Sequence, residues 1–530
     1  MKLFLGLLFT LSFLEIIAQE PLSSGGPLKP EQAIEDIRHY KIELAVDITQ
    51  QRIKGYTVID LNLLDTASVL LFDLLDSFHI GNLTVNGEKQ PFLYQKNMIS
   101  IQLKKRLAPG RISVRVDYEG KPHIALNPPW GDGFTWTKDS QGNPWVAVTA
   151  EAIGGKLFFP CKDHPSDEPN EGAELIITVP KNLVVAGPGL LQKVTVKNGK
   201  ATYDWKTNYT INNYSIVFNI GNYKVVSREY TTINGNKTAM QFYVLAENQD
   251  KAAHHLEILE QTVRSREKYF GEYPWAKEKI GIVETPHLGM EHQTMNAYGN
   301  KFRYEQVGGK DFDWLMDHEF GHEWWGNKVT AKDWADYWIH EGINTFGDAL
   351  DRRELEGEDA YIRNFQQKAL ELKNKIPVIL GKDLDEEAAY QSDIYDKGAF
   401  FMHTLRFVIG DSLFFPALKS FVTDPRYTYD NLVTTDDLEQ FFSKKSNLNL
   451  KPLFNLFLRT IDKMDIHVAR LPDNQYQIRL LNLDMDLPLQ LNTSNGLQSI
   501  RVNKKGIIIS SRTLPEIDPN TYYLTRVIIE

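Results

Sequence analysis

His318-Glu319-Phe320-Gly321-His322 decides how this chain is read. A helix turns about 100° per residue, so His318 and His322 stand one turn apart on one face. Two imidazoles at that spacing can grip one metal ion, and Glu319 between them can reach a metal-bound water. Glu341 follows His322 after eighteen intervening residues. That interval lets the first helix finish and a second return a carboxylate to the ion. Two histidines and a glutamate with a fourth position left open form the donor set of a catalytic zinc site, whereas a closed structural site takes four protein ligands. Apolar residues flank the stretch at helical spacing, Asp313-Trp314-Leu315-Met316 before it and Trp324-Trp325 after it, and predict a half-buried helix over about 311–326. Imidazoles and glutamates buried there without a metal would be costly.

The 530 residues suffice for three or four domains, and 42% hydrophobic with 11% aromatic residues excludes disorder. A net charge of −10 with no long basic run argues against nucleic acid as a partner. A single cysteine, Cys161, forbids an intrachain disulfide and reads as a small buried hydrophobe. Lys2, the apolar run from Leu3 to Leu14, and Ala18-Gln19 predict a signal peptide over residues 1–18, hence a secreted or periplasmic protein. That run is too short for stable membrane insertion; an uncleaved anchor is the alternative.

Residues 19–33, with Pro21, Gly25, Gly26, Pro27 and Pro30, read as a loose leader. Alternating apolar positions from Tyr40 to Ile220 predict an all-β domain over 34–228. Within it, Ile99 to Leu103, Pro109-Gly110 and Ile112 to Val116 read as a hairpin. Helical spacing takes over from about Leu256, with Gly271 and Pro274 ending the first long helix, and predicts a mainly helical domain over 229–460. Strand patterns return from Ile466, so 461–530 is expected to be a small β-sandwich. The fold class is multidomain α+β.

Several separate motifs resemble those of peptidase family M1, the gluzincin aminopeptidases, which include alanyl aminopeptidases and leukotriene hydrolase. The block from His318 to Thr330 resembles H-E-x-x-H-x-W-F-G-N-x-V-T. Trp338-Ile339-His340-Glu341-Gly342 resembles W-x-N-E-G, with His340 in place of asparagine. Leu288-Gly289-Met290-Glu291-His292 resembles G-x-M-E-N, departing at Leu288 and His292. Phe159 to Pro165 is similar to F-P-C-x-D-x-P, and Tyr395-Asp396-Lys397-Gly398 to Y-x-K-G. The resemblance runs from about residue 35 to the end. It implies a saddle-like β domain, a thermolysin-like zinc domain and a β-sandwich, without the large C-terminal helical domain of many members. The cleft is then expected to be open unless another subunit covers it; the oligomeric state is left open.

The resemblance also implies roles. One zinc ion is expected on His318, His322 and Glu341, with Glu319 as general base. Tyr395 is expected to steady the oxyanion; Tyr390 competes on chemistry alone, and the following Lys-Gly favours Tyr395. An α-amino group is mostly protonated at neutral pH, so a carboxylate is its natural partner. Glu291 takes that part, with Glu151 as a second acid and Thr149 where relatives carry glutamine. Gly289 and Met290 are expected beside the first side-chain pocket. Asn344, Thr345 and Asp348 lie within two turns of Glu341 and are candidates to orient the ligands. The function expected is a zinc aminopeptidase acting on peptides with a free N-terminus. Alternatives are a thermolysin-like endopeptidase or epoxide hydrolase on the same site, or a non-catalytic binding module.

Overall fold

The computed structural model describes residues 22–530, so the stretch read as a signal peptide lies outside the described residues. The alternation around Tyr40 becomes the strand Glu35–Asp47, the centre of an eight-stranded sheet. It pairs antiparallel with Arg52–Leu63, Ile42 opposite Thr57, and parallel with Ala173–Pro180, Tyr40 opposite Ala173. Every second side chain of the pair, including Ile42, Ile59 and Leu61, is buried.

The hairpin expected across Pro109-Gly110 is not formed. Met98–Leu107 pairs with Ala67–Asp73 and Phe92–Gln95 in a three-stranded sheet, whereas Gly110–Gly120 joins Arg52–Leu63 in the large one. Ile99, Ile101, Val114 and Val116 are all buried, in different sheets of one core. Alternation reports which face of a strand is buried; it does not report which strand lies beside it.

The boundary placed at 228 falls inside the strand Tyr223–Thr231, which belongs to the next sheet. That sheet has five strands, ordered Tyr223–Thr231, Lys237–Leu245, Lys279–Glu284, Asn296–Tyr298 and Gly289–Met290. Its last member is a free edge. Ten α-helices occur among the described residues. The first, α1 (Pro30–Ala33), is one turn. Helix α2 (Ala252–Phe270) crosses between parallel strands of the sheet and stops at Gly271, whose φ of 87° favours glycine.

Helix α3 (Trp314–Gly321) is shorter than expected because both ends are fixed. At its start Phe312 is held in a small hairpin, and the Asp313 side chain caps the helix by accepting from Met316 N at 3.2 Å. At its end the chain tightens, with Trp324 N donating to Gly321 O at 3.2 Å. His322 keeps helical angles as the C-cap, so the one-turn spacing of the histidines survives. Helices α4 (Trp338–Glu356), α5 (Glu358–Glu371), α6 (Glu386–Ala389), α7 (Asp393–Ile409), α8 (Asp411–Thr423), α9 (Thr435–Ser446) and α10 (Lys451–Leu458) complete the lobe. The last part holds a four-stranded and a three-stranded sheet built from Met464–Leu471 onward.

The segment read as a loose leader is stitched between domains. Ser24 N donates to Ala152 O at 2.5 Å, Gly26 N to Leu384 O at 3.0 Å, and Glu386 N returns to Ser24 O at 3.0 Å. Gly25 sits at a φ of 88° against Trp334, where a Cβ would lie 2.4 Å from the indole. Its Gly, Ser and Pro content signals irregular backbone, which can be as firmly bonded as a strand.

Candidate metal centre and substrate cavity

Helix α3 presents His318 and His322, and the first turn of α4 brings Glu341 opposite them. The two Nε2 atoms lie 3.4 Å apart, and each is 3.4 Å from Glu341 Oε2. The other ring nitrogens fix the tautomers. His318 Nδ1 is 2.9 Å from Asp348 Oδ2, and His322 Nδ1 is 2.8 Å from Trp325 O. Both Nδ1 atoms are therefore donors, which leaves two bare Nε2 lone pairs facing a carboxylate oxygen. Glu341 Oε2 is buried and has no hydrogen-bond donor. Three acceptors converge where only a cation satisfies them, so these residues fit a zinc ion. No other group of three such side chains among the described residues is placed to hold a metal.

The ligand-bearing helices are set by contacts that only glycine permits. A Cβ on Gly342 would lie 2.7 Å from Gly398 Cα, so α4 and α7 touch backbone to backbone. That contact brings the Tyr395 ring to 6.1 Å from the His318 ring. Lys397 anchors the same turn, its Nζ donating to Asn374 Oδ1 at 2.7 Å and Thr460 O at 2.9 Å. Burial raises the Tyr395 hydroxyl well above its ordinary pKa, so it stays a donor. Its hydroxyl stands 3.4 Å from that of Tyr390, and both tyrosines line the cavity.

That cavity, of about 450 Å³, lies over the metal ligands. Glu319, Glu291, Glu151, Gly289 and Met290 line it, so the sequence-derived residues are gathered in one place. Gly289 belongs to the free edge strand, and a Cβ there would come within 2.7 Å of Glu319 Oε1. Burial, with Glu291 and Glu341 adding to it against both histidines, pushes Glu319 up to about 8. Glu151 is pushed well up by burial and by Glu291, and its Oε1 has no partner. Thr149 is fully buried in the strand Pro144–Thr149 and does not line the cavity.

The two departures from the motifs have structural partners. His292 Nε2 is 3.2 Å from Ala150 O, which ties the segment carrying Glu291 to the one carrying Glu151. Burial pushes His340 down to about 4, and its neutral Nε2 accepts from Ala331 N at 2.9 Å. Glu323, pushed up to about 7 by burial, accepts from Trp275 Nε1 at 2.6 Å, Asn296 Nδ2 at 2.8 Å and Thr294 N at 2.9 Å. It fastens the end of α3 to the sheet.

Of the three orienting candidates, Asp348 bonds His318 directly and Asn344 Nδ2 donates to His318 O at 2.7 Å. The Thr345 hydroxyl is buried without a partner. Asp132, Trp130, Trp314, Glu386 and Glu387 also line the cavity and were not foreseen. Asp132 Oδ2 accepts from Glu151 N and Ile153 N, both at 2.7 Å, and so shapes the turn that presents Glu151. The run Pro128-Pro129-Trp130-Gly131-Asp132 could have marked a built loop. Nothing local marks Glu386.

This geometry is that of a hydrolytic metal centre of the metallopeptidase class. Residues 254–457 match the model of the Peptidase family M1 domain. It is similar to leukotriene A-4 hydrolase of Xenopus laevis, 24% identical over 84% of this chain and 74% of that protein. It is similar to aminopeptidase M1-B of Oryza sativa, 23% identical over 71% of this chain and 45% of that protein. With leucyl aminopeptidase of Saccharolobus solfataricus it shares 22% identity over 76% of this chain and 50% of that protein. The chain thus spans about half the length of the last two. Among solved structures, an M1 zinc metallopeptidase mutant from Deinococcus radiodurans bound to a Tyr-Ser-Ala substrate superposes with a TM-score of 0.68. That match has 22% identity and covers 82% of this chain and 97% of that one, so the fold is shared almost throughout the smaller protein.

Proposed function

We propose that this protein is a zinc aminopeptidase that hydrolyses the N-terminal peptide bond of peptides, with a single ion held by His318, His322 and Glu341. Bound there, zinc would act as a Lewis acid on the scissile carbonyl and lower the pKa of its water to about 7. Glu319, beside that position, takes a proton from the attacking water and later delivers it to the leaving amine. Tyr395 donates a hydrogen bond to the developing oxyanion. The free edge at Gly289–Met290 offers backbone groups to an extended substrate.

The observation that carries end-specificity is the pairing of Glu291 with Glu151. These are two carboxylates, Glu291 buried and Glu151 half-buried, beyond those needed for metal and base, joined through His292, with no lysine or arginine lining the cavity. A protonated α-amine satisfies them. An endopeptidase would have to thread upstream residues past the same acids. Lys2 and the run Leu3–Leu14 support export as a secreted or periplasmic protein. None of the described helices is long and apolar enough to cross a membrane.

A panel of aminoacyl chromogenic substrates, with and without chelator, tests the reaction class and the metal requirement together. Free and N-acetylated peptides test end-specificity. Equal cleavage of both would remove the aminopeptidase assignment in favour of an endopeptidase.

A further inference from the structure

The cavity over the metal ligands is lined by seven carboxylates, from Asp132 to Glu387, and by no lysine or arginine. A second cavity of about 410 Å³ shares Trp314, His318 and Tyr395 with it, so the two meet beside the metal ligands. The second one contains two cations, Arg352 and Lys368. It also holds three acids, Asp317, Asp348 and Asp396, so it is mixed in charge where the first is acidic throughout, and only it offers cations to the carboxylate end of a short peptide.

The path between the ends is built on one helix stripe. Glu341, Thr345, Asp348 and Arg352 are spaced four, three and four residues apart along α4 and share a face. Asp348 already touches His318, and Arg352 lies one further turn along, about 6 Å at 1.5 Å per residue. Lys368 projects from α5 into the same space. An extended peptide advances about 3.3 Å per residue, so two or three residues beyond the scissile bond reach that turn. On the way they pass the buried, unpartnered hydroxyl of Thr345.

Both cations keep donors to spare. Arg352 Nη2 bonds Glu305 Oε2 at 3.0 Å, which uses one of the five guanidinium N–H groups. Lys368 Nζ meets Asp396 Oδ1 at 2.5 Å and retains two of its three. The remaining acids of this cavity are engaged elsewhere: Asp317 and Asp348 both face Arg266, at 3.3 and 2.6 Å.

We infer that the second cavity receives the departing part of the substrate and that Arg352 and Lys368 bind its terminal carboxylate. Resting on the aminopeptidase assignment above, this makes peptides of about three or four residues with a free C-terminus the preferred substrate class. A guanidinium fork and a flexible ammonium together suit a carboxylate whose exact distance varies with the peptide.

The test uses alanine peptides of two to six residues, each as free acid and as C-terminal amide, with the zinc-loaded full-length protein. The ratio of kcat/KM for acid over amide is expected to reach about tenfold or more at three or four residues, the worth of a charge-assisted hydrogen bond. It is expected to fall toward one at six residues. Arg352→Gln and Lys368→Met are each expected to bring the peak ratio toward one. Because each ratio is taken within one protein sample, loss of folded enzyme cancels. A ratio near one at every length in the unaltered protein, or one that survives both substitutions, overturns the carboxylate assignment. Absence of hydrolysis of acids, amides and aminoacyl anilides alike overturns the aminopeptidase assignment and this one with it. Anilide hydrolysis with a flat ratio strikes the carboxylate assignment alone.

Discussion

Arg266 Nη2 stands 2.6 Å from Asp348 Oδ1, and the other oxygen of that carboxylate faces His318 Nδ1 at 2.9 Å. A guanidinium from α2 is thereby linked to a metal ligand on α3 through an acid on α4. Glycine makes the passage possible: a Cβ on Gly347 would fall 1.7 Å from Arg266 Nη1, and one on Gly321 2.0 Å from Asn344 Oδ1. Asp317 and Asp351 close the network, at 3.3 and 2.7 Å from the same guanidinium.

The relay predicts a division of labour. Asp348→Ala is expected to weaken zinc binding about 10–100-fold by freeing the His318 ring and tautomer, as read by competition with a chelator. Arg266→Met is expected to destabilise the fold by about 3–5 kcal/mol in urea unfolding, since it strands buried carboxylates. Unchanged zinc affinity in the first variant would remove Asp348 from the metal site.

Glu319→Gln keeps the size of the side chain and discards its basicity. A fall in kcat of about 10²–10⁴-fold with zinc content unchanged is the expected outcome. Retention of near-parental kcat would assign proton transfer to another group.

Glu291→Gln is expected to lower kcat/KM for peptides with a free amine by about 10–100-fold, the loss of one charge-assisted contact. Because His292 joins the two segments, Glu151→Gln should not add independently to it. A double-mutant cycle with additive effects would argue that only one of the two acids touches the amine.

Acid should loosen the junction between the helical lobe and the last β domain. His403 on α7 accepts from the Tyr361 hydroxyl at 2.9 Å and stacks on Phe365 at 4.3 Å and Tyr522 at 5.1 Å. Burial pushes it down to about 3. Between that value and the ordinary value of about 6.5, the unfolded chain holds a proton that the folded chain refuses. Its contribution is complete above about pH 6.5 and is lost as pH falls, by about 1.4 kcal/mol per unit. His403→Gln, which keeps an acceptor for Tyr361, should flatten the dependence of urea stability on pH between 6.5 and 5. Equal slopes in the two proteins would show that His403 is not the group responsible.

How much of this could be read beforehand depended on how local the cause was. His318 and His322 are neighbours by helix geometry alone, so their spacing carried the site. The β strands announced themselves through buried alternation, yet Ile99 to Val116 were assigned to one hairpin because alternation is silent on partners. Helix α3 was drawn too long because its limits come from Asp313 and the turn at Trp324, not from its apolar face. Nothing local in the sequence marks Arg266, because its burial arises only where α3 and α4 close over it. Glu386 reaches the cavity by a fold-level path that no short motif encodes.

The stitch made by residues 23–26 places the amino-terminal end of the described chain in mechanical contact with catalysis. Glu387 N also donates to Ser23 Oγ at 3.0 Å, so the short helix α6, which carries two acids of the cavity wall, hangs partly from these few residues. Trimming them by a protease, or beginning a recombinant chain beyond Gly26, is expected to raise KM by releasing that wall. Steady-state kinetics of the shortened and full chains would read it. The contour of a pocket wall is thus bonded to residues more than three hundred positions earlier in the chain.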